Sequence, residues 1–362
     1  MIKSKIVYSK VGILIGFALL VLASCTKEAR QSFRPFPTAF GKINQVTIIA
    51  DKSMWESAVG DTLRAYYESA YLILPQPEPN FDLWYFSPEE LEAEKTRREM
   101  RNYIVIANLN DASSPAAKLI LNDIGTEKAR RAKEEPTYNT AIGKDKWAEG
   151  QMLIYQFAYS DDDLIKNIKK NFPAIAQRIR QTDAEKIDAS LFLDGENRKL
   201  MSELQEKFGV QMRIPSDFKL ATSNEEIIWM RRDGKDFISN LVLKKMPYTD
   251  QSQLTKEGIK IVRDTIGRKY ISSQIANSYM RINDVDLPMF VNTTTLNNKY
   301  ALEARGIWEM ENDYMGGAFL SYLIHNPNKN ELLFVDGFVY APGKDKRDLM
   351  QHLEYIIASI KI

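Results

Sequence analysis

The sequence predicts an α/β protein in two parts, an N-terminal alternating β/α sandwich followed by an antiparallel sheet with covering helices. In the first half, short apolar runs alternate with segments of helical periodicity, which is typical of a sheet covered by helices. In the second half, strand-like runs follow one another with turn residues between them, which favours antiparallel pairing. The chain has 362 residues, more than one hydrophobic core usually supports, so we expect two domains.

The first 24 residues have the pattern of a secretory signal peptide. Lys3, Lys5 and Lys10 give a basic start, and the apolar run at 11–22 is too short to cross a bilayer comfortably as a permanent helix. We therefore expect residues 1–24 to be removed, and we exclude them from the fold.

The apolar run ends in Leu22-Ala23-Ser24-Cys25, and Cys25 is the only cysteine in the chain. This run resembles a bacterial lipobox. The resemblance implies cleavage between Ser24 and Cys25, and a diacylglycerol thioether on Cys25 with acyl chains such as palmitate. Several acyl chains would hold the protein on a membrane almost irreversibly, because each buried CH₂ contributes roughly 0.8 kcal/mol. The alternative is an ordinary signal peptide followed by an unrelated cysteine.

Thr26 and Lys27 follow Cys25, and no Asp is adjacent to it. By resemblance to the sorting signals of Gram-negative bacteria, this favours the outer membrane. We expect a lipid-anchored protein there that faces the periplasm rather than the cell surface.

Residues 25–44 form the lipidated cysteine and a tether with two prolines and little periodicity. Phe33, Phe36 and Phe40 are unusual in a free linker. They either dock onto the body of the protein or contact a partner, and the sequence leaves both open.

Charge excludes one class of partner. Removing the leader takes away three lysines and no acids, which leaves 46 basic against 48 acidic residues and a net charge of −2. This charge balance does not indicate the basic surface that is typical of nucleic-acid-binding proteins.

Residues 45–182 are expected to form the α/β domain. Ser87-Pro88 should begin one helix, and Ser160 should cap another that carries three aspartates in its first turn and is kinked at Pro173. The predicted strands lie at 45–50, 81–86, 102–109 and 151–160, and the helices at 53–70, 88–100, 114–124 and from 161 onwards.

Residues 183–209 are charged, helical in pattern and end at a glycine, so we expect a helical connector. Residues 210–362 are expected to form an α+β domain in two layers, with its helices on one side of the sheet. Its strands are predicted at 210–215, 218–223, 226–232, 278–284, 300–311, 318–325 and 331–341, and its helices at 252–270 and at the C-terminus.

Three segments carry a resemblance to a known family: "FGKINQVTIIAD" (40–51), "YESAYLILPQPEPNFDL" (67–83) and the helix at 161–181. With them, the mature chain resembles an uncharacterised Bacteroidota lipoprotein family classed as a domain of unknown function. The resemblance implies an envelope location and brings no catalytic residues. Within the second segment, Pro75, Pro77 and Pro79 enforce an extended backbone. This proline segment is either a structural connector or a motif presented to a partner.

The sequence contains none of the common catalytic or phosphate-binding motifs. The only histidines, His325 and His352, belong to no metal motif, and we interpret each as solvated or capping. Trp84, Trp229 and Trp308 fit a core better than a sugar-stacking platform. We expect no cofactor, no metal and no catalytic residue, and no small-molecule substrate is identified.

Two functions remain open. The first is a non-enzymatic interaction module that supports outer-membrane assembly or maintenance through an envelope protein partner. The second is an enzyme acting on envelope polysaccharide, or a glycan-binding lipoprotein. A deep pocket with two carboxylates roughly 5–9 Å apart would favour a glycosidase, and an exposed apolar patch would favour the interaction module.

Overall fold

The computed structural model describes residues 36–135 and 137–362. The leader, Ser24, Cys25 and Phe33 lie outside these residues. No helix in the described ranges is long and apolar enough to cross a membrane.

The N-terminal half is built on a five-stranded sheet, and its four predicted strands are confirmed. The strand order is β2-β1-β3-β5-β4; all neighbours are parallel except β4, which runs antiparallel to β5 at one edge. The strands are β1 (Gln45–Ile49), β2 (Asp82–Phe86), β3 (Asn102–Asn108), β4 (Thr140–Lys144) and β5 (Met152–Ala158).

Helices cover both faces of this sheet. They are α1 (Lys52–Trp55), α2 (Ala58–Tyr67), α3 (Pro88–Ala93), α4 (Pro115–Ile124), α5 (Thr126–Glu134) and α6 (Asp161–Leu191). The cores place α2 and α6 on one face and α3, α4 and α5 on the other. The alternating β/α sandwich is therefore confirmed.

Helix α3 ends at Ala93 rather than near residue 100, and two further helices differ from the prediction. The stretch at 53–70 is broken into α1 and α2, because Ser57 caps a new helix there and Gly60 packs against the carbonyl oxygen of Trp55. A Cβ at Gly60 would lie 1.9 Å from that oxygen, so the break depends on the glycine. The second difference is α6, which continues through Pro173 to Leu191 and includes the first third of the expected connector.

The C-terminal half is built on an eight-stranded antiparallel sheet. Its strands are β6 (Lys219–Ser223), β7 (Ile227–Asp233), β8 (Ile238–Pro247), β9 (Tyr279–Asn283), β10 (Phe290–Leu296), β11 (Lys299–Glu311), β12 (Gly316–Asn326) and β13 (Glu331–Tyr340). The order is β10-β11-β12-β13-β8-β7-β6, and β9 pairs with β11 beside β10. The antiparallel sheet with covering helices is confirmed.

The layering of this half was predicted wrongly. Helices α7 (Arg198–Phe208) and α9 (Arg347–Ala358) pack in one core, and α8 (Lys256–Tyr270) packs in a second core. Successive residues of β13 alternate between these cores, with Leu333 and Val335 in the first and Leu332 and Phe334 in the second. The sheet is thus covered on both faces.

Four elements were not expected from the sequence: α5, β4, β8 and β10. The expected strand at 210–215 is wrong, because this stretch makes only isolated bridges, from Gln211 to Lys361 and from Glu196 to Pro215.

The two halves are joined by buried polar contacts at the start of α9. The residue before this helix, Lys346, provides no side-chain cap. Instead, the Glu78 carboxylate from the N-terminal half accepts the backbone N–H groups of Lys346 and Arg347 at 2.6 and 2.9 Å. The Arg347 guanidinium donates back to the Pro79 carbonyl and to both oxygens of Asp82.

A second set of contacts lies one turn further along α9. The side-chain amides of Asn44 and Gln351 exchange two hydrogen bonds, of 2.7 and 3.0 Å. Asn44 has a positive φ of 61°, a conformation that asparagine tolerates better than most residues. Its backbone N–H donates to Asp183 of α6 at 2.8 Å. We call the bonded set of Asn44, Glu78, Asp82, Arg347 and Gln351 the interlock.

The proline segment therefore serves as a connector that docks on the other half of the same chain. Tyr71 and Leu74, at its start, lie in the core between α9 and the C-terminal sheet. The Lys346 ammonium also donates to the side chain of Gln76 at 2.8 Å. The extended backbone holds Glu78 opposite the first turn of α9.

Replacing Glu78 tests the interlock. Glu78→Gln keeps the shape but removes the negative charge and one acceptor for two buried N–H groups. We expect a loss of about 1–3 kcal/mol in the free energy of unfolding, measured by urea titration. Glu185→Gln is the matched control, because Glu185 is exposed on α6 and should change stability little. Equal, small losses in both variants would contradict the role given to Glu78.

Candidate functional site

The end of the tether docks on the N-terminal half through its backbone. The N–H of Ala39 donates to the Glu149 carbonyl, the N–H of Glu149 donates to the Pro37 carbonyl, and Phe40 donates to the Glu99 carbonyl, each at 2.8 Å. The Lys186 ammonium of α6 also donates to the carbonyl of Gly41. Residues 37–41 are therefore part of the folded body.

The two described phenylalanines of the tether remain half-exposed, although the backbone from Pro37 to Phe40 is hydrogen-bonded to the body. Phe36 is 54 % exposed and Phe40 is 46 % exposed. Docking of the backbone thus holds the Phe40 ring at the surface and begins directly after Phe36, and we call Phe36 and Phe40 the aromatic pair.

The aromatic pair lies at the amino edge of the parallel sheet. Phe40 bridges Met100, two residues before β3, while Thr38 bridges Glu149, three residues before β5. The tether thus enters the body at one end of the strands, and the loops that follow the strands lie at the opposite end.

The opposite edge, at the carboxyl ends of the parallel strands, is lined by helix N-termini that have the same type of N-cap. The side chain of a serine accepts a backbone N–H at the start of four helices, α2, α3, α4 and α6. These serines are Ser57, Ser87, Ser114 and Ser160. In doubly wound sheets, ligands bind at this edge where the strand order reverses, which here is between β1 and β3.

A crevice of about 590 Å³ lies at this reversal point. Asp51, two residues after β1, faces it with Asp111, which follows β3. Glu89 and Glu90 of α3 line its other side, with the Tyr85 ring, which stacks on Trp55 at 4.8 Å. The crevice is rich in carboxylates.

These carboxylates are already engaged in local structure. Asp51 accepts the N–H of Ala116 at 3.1 Å and the hydroxyl of Ser114, so it acts as an additional cap of α4. A hydrogen bond from Ser87 lowers the pKa of Glu89, and hydrogen bonds from Ser113 lower the pKa of Asp111. A general acid needs the opposite shift. No three His, Cys, Asp or Glu side chains in the described ranges are placed to hold a metal ion.

Carboxyl groups with a raised pKa lie elsewhere, in buried ion pairs. Burial raises the pKa of Asp336, which is 1 % exposed and pairs with Arg263 of α8 at 3.2 Å. Burial likewise raises the pKa of Asp183, which pairs with Arg101 at 2.9 Å. The first pair joins α8 to β13, and the second joins α6 to the residue before β3. Both pairs therefore have a structural role.

The two histidines lie on different elements, and the three tryptophans do not share one exposed surface. His325 lies at the end of β12, with its ring 4.4 Å from that of Tyr248. Trp308 is 3 % exposed in the C-terminal core, and Trp229 packs against the same core. Trp84 is 46 % exposed on β2 of the other sheet, so the expectation that it fits a core is wrong. The structure therefore brings the tryptophans to no common sugar-stacking platform.

Two family models match this chain, and the two matched segments correspond to the halves that contain the two sheets. Residues 39–192 match the family model described as Domain of unknown function (DUF8532), and residues 197–359 match Domain of unknown function (DUF4837). The chain carries two domains of unknown function. The matched segments meet between α6 and α7, and no curated protein matches the chain.

Solved structures give only remote likenesses. A point mutant of protein Mog1 is 9 % identical, with a TM-score of 0.28, and the match covers 42 % of this chain and 90 % of that one. The Ran-binding protein Mog1p of Saccharomyces cerevisiae is 10 % identical, with a TM-score of 0.27 and coverage of 43 % and 92 %. The human StarD13 lipid transfer and protein localization domain is 10 % identical, with a TM-score of 0.20 and coverage of 45 % and 92 %. TM-scores this low carry no argument about fold or function.

His352 on α9 is half-buried and its Nδ1 caps nothing, so the expectation of a solvated or capping histidine is wrong at this position, and the buried ring allows a test by pH. Burial lowers the pKa of His352, the positive charge of Arg232 lowers it further, and Asp348 opposes this; its Nδ1 has no hydrogen-bond partner. Near this pH, the unfolded chain therefore binds a proton at His352 more readily than the native protein does. The free energy of unfolding then falls as the pH drops below about 6.5. We expect His352→Gln to remove part of this loss, at most about 1.4 kcal/mol per pH unit, in urea titrations at pH 7.5 and 5.5. An identical acid dependence in both proteins would contradict the assignment.

Proposed function

We propose that the protein is a lipid-anchored lipoprotein of the Bacteroidota cell envelope that binds another envelope protein and has no catalytic activity of its own. In this proposal, Cys25 carries the lipid, and the body lies on the periplasmic face of the outer membrane, where it supports assembly or maintenance. The observation that carries the proposal is the aromatic pair, two half-exposed rings at the point where the tether docks on the body.

The length of the tether supports this arrangement. Pro37 follows Cys25 by twelve positions, and twelve residues span at most about 40 Å. Since Pro37 is already paired with Glu149, the amino edge of the sheet would stay within that distance of the lipid. A partner of the aromatic pair would therefore be a membrane protein, or a protein held close to the membrane.

The chemistry of the carboxyl edge supports binding rather than catalysis. Its carboxylates cap helices or have a lowered pKa, so they are poor proton donors at neutral pH. The open crevice and its acids do favour a second candidate, a glycan-binding lipoprotein, since sugar hydroxyls donate hydrogen bonds to carboxylates.

Lipidation is tested at Cys25. Cys25→Ala removes the only thiol, so acylation should be abolished and the protein should leave the membrane fraction or remain unprocessed. Intact-mass measurement of the native protein checks this directly. An unmodified Cys25 in the mature protein would contradict the lipoprotein assignment.

The aromatic pair is tested by a double substitution. In Phe36→Ser with Phe40→Ser, we expect recovery of a cross-linked envelope partner to fall at least tenfold, because the apolar contact is lost. The melting temperature should change by less than about 3 °C, because the rings are half-exposed and the backbone bonds remain. The control is Tyr314→Ser, since Tyr314 is a fully exposed aromatic residue of the other half.

The outcomes separate the alternatives. A lowered melting temperature with the partner retained would mean that the rings only stabilise the body. Turnover of purified peptidoglycan or another envelope glycan, lost on changing one Asp or Glu, would overturn the non-enzymatic assignment.

A further inference from the structure

Strand β10 has an open side. It pairs with β11 over its full length, from Phe290 opposite Arg305 to Leu296 opposite Lys299. On its other side, no described strand pairs with it, and no described backbone group donates to it or accepts from it. Along this seven-residue strand, every second residue therefore presents its backbone N–H and C=O groups to the surroundings.

The other sheet edges carry charges that discourage pairing, and β10 does not. Edge strand β6 begins with Lys219 and is interrupted by a bulge, β4 ends with Lys144, and β2 begins with Asp82. Strand β10 has the sequence FVNTTTL, which contains no charge, no proline and no glycine. Charged residues, prolines and bulges are the usual means of blocking an edge. The remaining edge strand, β9, contains Arg281, and its N–H groups at Met280 and Ile282 donate to Ile271 and Asp264, so the open side of β10 is the exception.

We propose that β10 pairs antiparallel with β10 of a second copy of this chain, so that the two eight-stranded sheets become continuous across a two-fold axis. The register of full overlap is centred on Thr293. It places Phe290 opposite Leu296, Val291 opposite Thr295 and Asn292 opposite Thr294, with Thr293 facing its own symmetry mate.

The strand is complementary to itself in this register. No like charges meet, and the pairs are aromatic–aliphatic at both ends with β-branched and polar pairs between, which stabilise antiparallel ladders. Phe290 is 47 % exposed in the single chain, and the Leu296 side chain of the second copy would cover it. Asn292, Thr293 and Thr295 are also exposed and would be covered at the same time.

The size of the contact sets its strength. A seven-residue strand pair buries less than the standard interface of about 1,600 Å², so the dimer should dissociate on dilution. Two copies anchored in one membrane have a high effective concentration, which favours pairing. This gain rests on the proposed lipid anchor, but the pairing of the strands does not.

Single-cysteine cross-linking tests the register. The full chain has one cysteine, Cys25, so Thr293→Cys adds a single new thiol. In membranes and in concentrated detergent solution, we expect a short bis-maleimide to join two copies of Thr293→Cys through this position. Thr295→Cys is the matched control: its thiols would lie four residues apart along the strands, about 13 Å, and should cross-link at least tenfold less. The unsubstituted chain controls for Cys25.

A second substitution tests the edge itself. Asn292→Lys, added to Thr293→Cys, places like charges across the two-fold axis and should reduce the cross-link at least tenfold. Thr222→Lys on edge strand β6 should leave the cross-link unchanged.

Failure of Thr293→Cys to cross-link in a protein with an unchanged melting temperature would overturn the proposal. Equal cross-linking of Thr295→Cys, or a product joined to a different protein at Thr293→Cys, would overturn it as well. Cross-linking in detergent without Cys25 acylation would leave this proposal standing while the lipid anchor failed.

Discussion

The Glu78 carboxylate is the contact on which the arrangement of the two halves depends. Helix α9 begins without a side-chain cap of its own, and its first buried N–H groups, those of Lys346 and Arg347, bond to Glu78. Unpaired buried N–H groups cost free energy comparable to a lost hydrogen bond, so α9 needs the N-terminal half to complete its first turn. In return, Arg347 neutralises Asp82 at the start of β2. Each half therefore provides hydrogen-bond or ion-pair partners for polar groups of the other half.

Helix α6 links the same halves through apolar packing. Its first two-thirds cover the parallel sheet, and Ile187 and Leu191 near its end belong to the core beneath the antiparallel sheet. Asp183 lies where the helix leaves one core for the other, and it bonds to Asn44 and Arg101. These contacts fix the amino edge of the parallel sheet, where the tether enters. The aromatic pair thus lies where the tether meets the folded body, while the acidic crevice lies at the far end of the same strands.

The sequence was sufficient for elements whose pattern is local. Buried strands such as β1, β3 and β5 are continuous apolar runs, and the Ser87 and Ser160 caps have a recognisable spacing. Helix α5 was missed because only Ala129 and Ala132 are buried, which leaves no apolar stripe, and β10 was missed because it is rich in threonine and largely exposed.

Of the candidate site, the unusual phenylalanines were recognisable, but their backbone pairing with Glu99 and Glu149 was not. The interlock could not be inferred, because Glu78 and Arg347 lie 269 positions apart and neither has a distinctive local pattern.

The most direct test of the interlock is to cut the chain between its halves. A specific protease site can be inserted beside Leu193, which is 82 % exposed in the turn between α6 and α7. If the interlock and α6 hold the halves together, the two fragments of the cut protein will elute together in size-exclusion chromatography without denaturant and will melt in one transition. Fragments that separate in native buffer, or that melt independently at two temperatures, would contradict this account.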